Sequence, residues 1–319
     1  MHDIITVGSA TVDVFVKTEH PKIVHLHGEH DVVYPIGAKL LISDLHMDTG
    51  GGGTNTAVAF SRLGFKTGYS GVVGDDEHGE IILKMLKKED VSYSIQKEKG
   101  MSGYSVILIG IEKDRTIFAY KGVNDKYDYS NDVFDTKWIY MSAMIGHAFK
   151  ASERIALEAK KKGIPYAFNP SSYLAKKGLN YLKKIIDGCS VLILNKEEAG
   201  YLVGGDNVDN RLKKLQQYAK IVVITDGKNG AYAYNGITKY FIKPHKVKIA
   251  DTTGAGDSFA AGFVAGIMMK KDIEYALRLG LEESESVIRY IGAKNKLLTR
   301  REAEQAINKS NSKVSKEEI

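Results

Sequence analysis

The sequence predicts an α/β fold in which helices flank a doubly wound, mostly parallel sheet and a small separate β-sheet forms a lid. Two observations predict the main sheet. Short apolar runs rich in β-branched residues recur along the chain, and amphipathic stretches separate them. This alternation is typical of parallel strands joined by right-handed helical crossovers. A third observation predicts the lid, because two segments break the alternation and contain strand-like pieces without a strong helix.

The strands of the main sheet are predicted from runs that are apolar throughout, since parallel strands are usually covered on both faces. Six such runs occur, at residues 4–7, 69–73, 138–141, 166–168, 191–194 and 221–225. Between them, apolar residues repeat at helical spacing. These stretches predict helices at residues 80–88, 152–162 and 211–219.

The lid is expected to contain residues from about 14–47 and 104–120. Strand-like pieces occur there at 13–16, 39–42, 104–111 and 116–120, and the polar turn 112–115 joins the last two. Such a sheet could close over a ligand and exclude water during group transfer, or it could be an edge hairpin without that role. The rest of residues 1–308 is expected to form the main domain, followed by a frayed polar tail at 309–319.

Composition indicates a globular protein. Of the 319 residues, 43% are hydrophobic and 26% are charged, which suits a folded chain rather than a disordered one. The net charge of +6 comes from lysines spread along the chain, without the dense basic tract that is typical of nucleic-acid-binding proteins. We therefore expect no nucleic-acid partner.

Cysteine usage and hydropathy predict a cytoplasmic protein. The one cysteine, Cys189, excludes an intrachain disulfide and a thiolate metal cluster. The first residues lack the basic, apolar and small-residue pattern of a signal peptide. No apolar run approaches the roughly 20 residues that span a bilayer. We therefore expect no membrane partner.

The strongest chemical signal is the segment DTTGAGDSFAAG at residues 251–262. It follows the strand-like run 246–249 and opens a predicted helix. Its residues Gly254, Ala255 and Gly256 are small enough for backbone N–H groups to converge on one point. Since the N-terminus of a helix favours an anion, this segment predicts a cradle for a phosphate group.

Asp257 lies directly after these small residues. An ionised carboxylate at this position could act as a general base for a substrate hydroxyl. Phosphoryl transfer requires this combination of an anion cradle and a proton acceptor. In isolation, Asp257 could instead cap a helix after a glycine turn.

A second glycine cluster, TGGGGTNTA at residues 49–57, leads into a helix predicted at 57–63. Four consecutive glycines cost backbone entropy, and close approach of a ligand is one reason to keep them. Asn55 offers both a donor and an acceptor to sugar hydroxyls. The cluster could also be a flexible turn. It is neither a dinucleotide fingerprint nor a P-loop, because it lacks the acidic partner of the first and the Gly-Lys-Ser/Thr of the second.

Together the two clusters resemble the signatures of ribokinase-like (PfkB-type) carbohydrate kinases. Residues 50–64 resemble the N-terminal signature, and residues 251–262 match the C-terminal one position by position. The resemblance extends over roughly residues 3–300, because intermediate features follow in the family's order. It implies the ribokinase-like fold and an ATP-dependent kinase acting on a hydroxyl of a sugar or a sugar-bearing substrate. The implied cofactors are Mg²⁺ and, as in many members, K⁺.

The resemblance also implies roles for individual residues. Asp257 would be the base, and Gly254, Ala255 and Gly256 would form the anion hole. The acceptor would be bound by Asp13, Gly51, Gly52 and Asn55. The nucleotide would be bound by Asn195, Glu198, Thr225, Gly227 and Gly230. Metal sites would involve Glu198 for Mg²⁺, through water, and Asp251 and Thr253 for a monovalent cation.

Some of these residues have simpler interpretations, and some positions depart from the family pattern. Asp13 could cap a turn, and Asn195 and Glu198 could simply open a helix. Gly52 stands where ribokinase has a lysine. Residues 140–146 lack the acidic residue that often binds the sugar, and residues 280–284 lack the usual asparagine near the adenine. Lys296 lies near the cation loop, where its ammonium could replace the ion or face solvent.

The predicted activity therefore has open alternatives. The acceptor could be a pentose, a hexose or a nucleoside. A catalytically silent sugar- or nucleotide-sensing protein could have the same fold, and a nucleotide-dependent oxidoreductase is a third class. A homodimer formed through the lid is also expected to be possible. The irregularly spaced histidines, including His25 and His46, do not predict a metal site.

Overall fold

A computed structural model of the protein describes residues 1–18, 22–26, 29–109, 115–205, 207–270 and 272–319. Sixteen strands lie within these ranges: β1 Ile4–Val7, β2 Thr11–Thr18, β3 Lys22–Leu26, β4 Glu29–Val33, β5 Ile42–Gly50, β6 Thr67–Gly74, β7 Ser92–Glu98, β8 Gly103–Ile109, β9 Arg115–Tyr120, β10 Ile139–Ser142, β11 Tyr166–Asn169, β12 Cys189–Asn195, β13 Ala219–Thr225, β14 Ala231–Tyr234, β15 Thr238–Ile242 and β16 Val314–Glu318.

The same ranges contain ten α-helices: α1 Gly52–Arg62, α2 Glu77–Lys88, α3 Gly146–Lys162, α4 Ser171–Ala175, α5 Leu179–Ile186, α6 Lys196–Val203, α7 Val208–Gln216, α8 Ala255–Lys270, α9 Ile273–Val287 and α10 Arg300–Lys309. None of the described helices combines the length and apolarity needed to cross a bilayer.

The main sheet has ten strands in the order β16-β15-β14-β13-β12-β11-β10-β1-β6-β7. All pairs from β7 to β13 are parallel, and β14, β15 and β16 extend the sheet in antiparallel pairs. The strand order reverses between β1 and β10. In open α/β sheets, ligands bind beyond the carboxyl ends of the strands at such a reversal. The residues that follow β1 and β10 are therefore candidates for a ligand-binding site.

A separate four-stranded sheet has the order β5-β2-β8-β9, and β3 and β4 form a two-stranded ribbon. In the four-stranded sheet, β2 runs parallel to β8 and antiparallel to β5. The expected fold class, a mostly parallel sheet with helices around it and a small second sheet, is confirmed. The turn predicted at 112–115 lies largely outside the described residues.

Two apolar clusters pack against the two faces of the main sheet. One combines side chains of α1, α8 and α9, among them Phe60, Phe263 and Leu277. The other combines side chains of α3, α5 and α7. Helices α8 and α9 approach very closely, since a Cβ added at Gly262 would lie 2.8 Å from the carbonyl oxygen of Leu279. This tight pair fixes the N-terminus of α8 relative to the sheet.

The six predicted strands of the main sheet are confirmed as β1, β6, β10, β11, β12 and β13, with shifted ends. The strand expected at 246–249 is absent from this described stretch. The N–H of His245 instead donates to Glu285 at 2.7 Å, and that of Ala250 donates to the carbonyl of Ile288 at 2.8 Å. The backbone here is therefore bonded to α9 and the loop after it.

The boundaries of three further elements differ from expectation. Helix α1 begins at Gly52 rather than at residue 57. The sequence did not indicate this start because the first turn contains glycines and polar residues and has no apolar pattern. Helix α7 ends at Gln216, since Ala219 already belongs to β13. The strand-like piece 39–42 overlaps β5 only at Ile42, where that strand starts.

The end of the chain also differs from the expected frayed tail. Residues Val314–Glu318 form β16, which pairs antiparallel with β15 from Ile242↔Val314 to Thr238↔Glu318. The ammonium of Lys239 lies 2.8 Å from Glu317, and that of Lys316 lies 2.8 Å from Glu274. These cross-strand and helix contacts compensate for the low apolar content that made this segment look disordered.

Candidate active site

The glycine cluster that precedes α1 packs against the loop after β1 and the end of β10. Gly51 has a φ of 98°, which favours glycine, and a Cβ there would lie 2.4 Å from the carbonyl oxygen of Ser9. A Cβ at Gly52 would lie 2.9 Å from the side chain of Ser142 and 3.5 Å from a carboxylate oxygen of Asp257. Protein packing therefore accounts for these glycines and brings the cluster to the point where the strand order reverses.

The second cluster forms the N-terminus of α8, directly beside the first cluster. Gly254 has a φ of 78°, and a Cβ there would lie 2.6 Å from the Cα of Ala293. A Cβ at Gly256 would meet nothing within 4 Å, so the first turn of α8 faces open space. The first N–H groups of a helix have no partner within the helix. An anion in this space would be stabilised by these N–H groups and by the helix dipole.

Asp257 and Asn55 connect the two clusters directly. The Nδ2 of Asn55 donates to Oδ2 of Asp257 at 2.8 Å. Burial raises the pKa of the Asp257 carboxyl, and the charge of Asp13 raises it further. The hydrogen bond from Asn55 and the charge of Lys294 lower the pKa. The site thus holds a carboxylate at the mouth of the anion cradle, with a fixed amide beside it.

Asp13 lies on β2, at the base of the small sheet. Its Oδ1 accepts a hydrogen bond from the hydroxyl of Thr11 at 2.8 Å. A Cβ at Gly50 would lie 1.9 Å from Oδ2 of Asp13, so the glycine leaves room for this carboxylate. Burial raises the pKa of Asp13. The charge of Lys294 lowers this pKa, and the charge of Asp48 raises it. A buried carboxylate with few partners can accept hydrogen bonds from hydroxyl groups.

The residues predicted to bind nucleotide lie at the ends of two neighbouring strands. Asn195 ends β12 and is in register with Thr225 at the end of β13. Asn195 also caps α6, because its side chain accepts from the N–H of Glu198 at 2.8 Å and Glu198 accepts from the N–H of Asn195 at 2.9 Å. The helix-opening interpretation of this pair is thus present in the structure, whatever else the two residues do.

The two glycines of the loop after β13 differ from each other. A Cβ at Gly227 would meet nothing within 4 Å, so its backbone is open to a ligand. A Cβ at Gly230 would lie 2.4 Å from the carbonyl oxygen of Ile242. Gly230, with a φ of 120°, is therefore required by packing between β14 and β15.

Glu198 is the carboxylate to which the resemblance assigns a role in magnesium binding. It is buried, its Oε1 accepts from the hydroxyl of Ser172 at 3.2 Å, and burial raises the pKa of its carboxyl. Among the described residues, no group of three or more His, Cys, Asp or Glu side chains could hold a metal ion. Mg²⁺ usually keeps several waters and uses one or two carboxylates plus phosphate oxygens. A single carboxylate acting through water fits that pattern.

The candidate monovalent-cation residues are bonded to each other. Oδ1 of Asp251 accepts from the N–H of Thr253 at 3.0 Å and from its hydroxyl at 2.8 Å. Oδ2 accepts from the N–H of Gly292 at 3.1 Å. Asp251 therefore links the loop before α8 to the loop after α9. Lys296 has its ammonium 6.0 Å from the centre of the Tyr290 ring, away from these contacts.

Two lysines at the site were not predicted from the sequence. Lys294 is almost completely buried, and its ammonium donates to Oδ1 of Asn55 at 2.8 Å and to the carbonyl of Thr49. The ammonium of Lys121 lies 4.7 Å from the centre of the Tyr173 ring. Burial lowers the pKa of Lys121, and the charge of Asp13 raises it. The sequence analysis considered only Lys296 in this loop, two residues after Lys294.

Comparisons with known proteins show the family to which the chain belongs. A family profile described as "pfkB family carbohydrate kinase" matches residues 1–300. Ribokinase from Bacillus subtilis is 29% identical over 315 residues, which are 97% of this chain and all of that one.

Two solved structures have the same fold. Adenosine kinase from Sinorhizobium meliloti superposes with a TM-score of 0.82 at 22% identity, covering 97% of this chain and 99% of its own. The structure of Arabidopsis thaliana ribokinase complexed with ribose and ATP gives 0.82 at 21% identity, covering 97% and 99%. At such identities these two likenesses concern the fold alone, whereas the profile covers nearly the whole sequence. The chain belongs to the pfkB family of carbohydrate kinases.

Proposed function

We propose that this protein is an ATP-dependent phosphotransferase that phosphorylates a hydroxyl group of a pentose or hexose. The observation that carries the proposal is the carboxylate of Asp257, 2.8 Å from the amide of Asn55 and at the open N-terminus of α8. A base beside an anion cradle is the arrangement that phosphoryl transfer to an alcohol requires.

The acceptor would lie between the main sheet and the small sheet. Asp13 would accept hydrogen bonds from its hydroxyls, and the backbone at Gly51 and Gly52 would line the same wall. Asp257 would accept the proton of the attacking hydroxyl as the hydroxyl oxygen bonds to the γ-phosphorus. The bond between that phosphorus and the β–γ bridging oxygen would break, and ADP would leave with that oxygen. The N–H groups of residues 254–257 would receive the charge that develops on the phosphoryl oxygens. One such donor is typically worth about 3–4 kcal/mol in the transition state.

The nucleotide would lie over the ends of β12 and β13, against Asn195, Thr225 and the open backbone of Gly227, with Gly230 holding that loop in place. Glu198 would hold Mg²⁺ through water. Bound there, Mg²⁺ would neutralise phosphate charge. Asp251 and Thr253 would support K⁺ only with the lone pairs that their mutual hydrogen bonds leave free. Turnover in KCl compared with tetramethylammonium chloride tests that requirement.

The small sheet would act as a lid, and it could also join two copies of the chain. Its outer strands expose apolar side chains, among them Leu45, Met47, Phe118 and Tyr120. An exposed apolar surface of this kind is typical of an interaction site. We expect a homodimer formed through these strands, and light scattering coupled to size exclusion will measure its mass. A monomer at micromolar concentration would contradict this part of the proposal.

A nucleoside is the second candidate acceptor. Residues 140–146 contain no carboxylate, and Met144 is buried in an apolar cluster. This end of β10 therefore offers little polarity beyond Ser142, which suits a partly apolar acceptor. A silent sensor with the same fold would bind either ligand without turnover.

A phosphorylation screen tests the proposed function. The acceptors are pentoses, hexoses, nucleosides and sugar acids, each with ATP, GTP or ADP as donor. Sugar acids are included because Lys121 brings a cation close to Asp13. We expect ATP-dependent phosphorylation of a sugar, reduced at least a hundredfold in Asp257→Asn. Binding of a sugar without turnover with any donor would indicate a sensor, and turnover restricted to nucleosides would establish the second candidate.

A further inference from the structure

Lys294 is a buried cation at the centre of the proposed site, and the reaction as described above does not use it. It lies in the loop between α9 and α10 and is only 5% exposed. Its ammonium donates to Oδ1 of Asn55 at 2.8 Å and to the carbonyl of Thr49. Its hydrogen-bond partners are thus an amide and a carbonyl rather than a carboxylate. Burying a charge without an ion-pair partner costs stability.

The contact with Lys294 determines which way the Asn55 amide faces. An ammonium has only donors, so the atom of Asn55 that faces Lys294 must be the oxygen. The NH₂ group then faces Asp257, to which it donates at 2.8 Å. The backbone of Asn55 is fixed as well, because its N–H donates to the carbonyl of Gly51 at 2.9 Å. A flipped amide would point its oxygen at the carboxylate and repel it.

Several charged groups surround the side chains of Lys294, Asn55 and Asp257. Burial lowers the pKa of Lys294, and the charges of Asp48, Asp13, Asp257 and Glu89 raise it. Burial raises the pKa of Asp257, and Asn55 and Lys294 counteract that effect while Asp13 adds to it. Asp257 also interacts with Glu198 and Tyr140, where its charge raises the pKa of each. Lys294 is the cation among these groups that lowers the pKa of both Asp13 and Asp257.

We propose that Lys294 is a positioning residue that acts through Asn55, fixing the amide so that its NH₂ group holds the Asp257 carboxylate ionised and oriented toward the acceptor. Asn55 then links a cation to the base, and only one N–H and part of its oxygen remain for a sugar hydroxyl. This inference rests on the proposed function in naming Asp257 as the base. The orientation of the carboxylate and its ionisation can nevertheless be measured without turnover.

The test is an NMR titration of the Asp257 side chain. Protein labelled with ¹³C at the aspartate carboxyls is titrated from pH 4 to 9, and the Asp257 signal is assigned by its loss in Asp257→Asn. We compare Lys294→Met, Lys294→Arg and Asn55→Ala with the wild type. Lys296→Met is the matched control, because this lysine lies in the same loop and its ammonium lies over the Tyr290 ring, 6.0 Å from the ring centre.

We expect the pKa of Asp257 to rise by at least one unit in Lys294→Met and in Asn55→Ala, and to stay close to the wild-type value in Lys294→Arg and Lys296→Met. The double variant Lys294→Met/Asn55→Ala distinguishes an effect of Lys294 through Asn55 from a direct effect through space. If Lys294 acts mainly through Asn55, the shift in the double variant is clearly smaller than the sum of the two single shifts, because most of the effect of the lysine is already lost with the amide and only its charge acting through space remains. Additive shifts would mean that the lysine acts on Asp257 through space, which would overturn the proposal.

An unchanged Asp257 pKa in folded Lys294→Met would also overturn it. If Lys294→Met does not fold, Lys294→Leu takes its place, since leucine also removes both the charge and the donor. Where the phosphorylation screen has identified an acceptor, the acid limb of kcat/KM should move by the same amount as the NMR pKa. Absence of any turnover would remove the proposed function while leaving the NMR result for Lys294 and Asn55 intact.

Discussion

The amide of Asn55 donates a hydrogen bond of 2.8 Å to the carboxylate of Asp257, although 202 positions separate the two residues in the chain. Each belongs to a glycine cluster at the N-terminus of a helix, α1 for one and α8 for the other. The contact brings the two helix ends together. Asp13, on β2 of the small sheet, lies near enough for its charge to raise the pKa of Asp257. A substrate bound beside Asp257 and Asp13 would therefore touch residues from three distant parts of the sequence.

Asp13→Ala is expected to raise the KM of the acceptor at least tenfold and the KM of the nucleotide much less. The reason is that Asp13 lies on β2, away from the ends of β12 and β13 where we place the nucleotide. Initial-rate kinetics with each substrate varied in turn will measure the two constants. Asp44→Ala, an exposed change on the neighbouring strand β5, is the control. Equal increases in both constants would make Asp13 a structural residue.

The lid proposal predicts a change in hydrogen exchange. We expect amides of β2, β8 and β9 to gain protection when the acceptor binds, and to gain less with nucleotide alone. Arg115 at the start of β9 already donates to the hydroxyl of Thr252, which gives the lid a contact beside α8. Exchange measured by mass spectrometry on the apo protein and on each complex will test this.

Two other exchange patterns would contradict lid closure. Amides that are fully protected without ligand would indicate a permanent dimer interface. Fast exchange in every state would mean that the small sheet does not close at all. Closure would otherwise exclude water from Asp257 and suppress hydrolysis of the nucleotide.

Much of this architecture could be predicted from the sequence because it depends on local patterns. The apolar runs of β1 and β10–β13 and the glycine clusters are continuous signals. The glycine clusters singled out Asn55 and Asp257, and the resemblance to the family added Asp13. Lys294 could not be found in this way. Its role depends on a contact with Asn55, 239 positions away, and a lysine in a polar loop usually faces solvent.

Two local misinterpretations have the same origin. The run 246–249 alternates like a strand, but its backbone neighbours bond to Glu285 and Ile288. Residues Val314–Glu318 look disordered by composition, but β15 offers them an unpaired edge. In both cases the partner, rather than the segment itself, decides the structure, and the partner lies far away in the chain.

Glu283→Gln is expected to make stability less dependent on pH. Glu283 is fully buried on α9, and burial raises the pKa of its carboxyl to about 8 from an ordinary value of 4.5. Between these values the unfolded chain releases the proton and the folded chain keeps it. The free energy of unfolding should therefore fall as pH rises from 4.5 to about 8, by at most about 1.4 kcal/mol per pH unit, and then level off.

Urea denaturation from pH 5 to 9 measures this effect. We expect Glu283→Gln to be more stable than the wild type at pH 8, with little difference near pH 5. Glu304→Gln, a change on the exposed side of α10, is the control and should follow the wild type. Parallel curves for Glu283→Gln and the wild type would show that Glu283 is ionised in the folded state.

The central claim is that Asp257 is the base of a phosphoryl transfer, and the turnover of Asp257→Asn tests it most directly. Asparagine keeps the shape of the side chain and can still accept from Asn55, so melting temperature and acceptor binding should stay close to wild-type values. We expect kcat, measured by single-turnover and steady-state assays with the acceptor found in the screen, to fall at least a hundredfold, within the roughly 10²–10⁴ that general-base catalysis supplies. A folded variant that binds its acceptor and turns over at near wild-type rate would contradict the account.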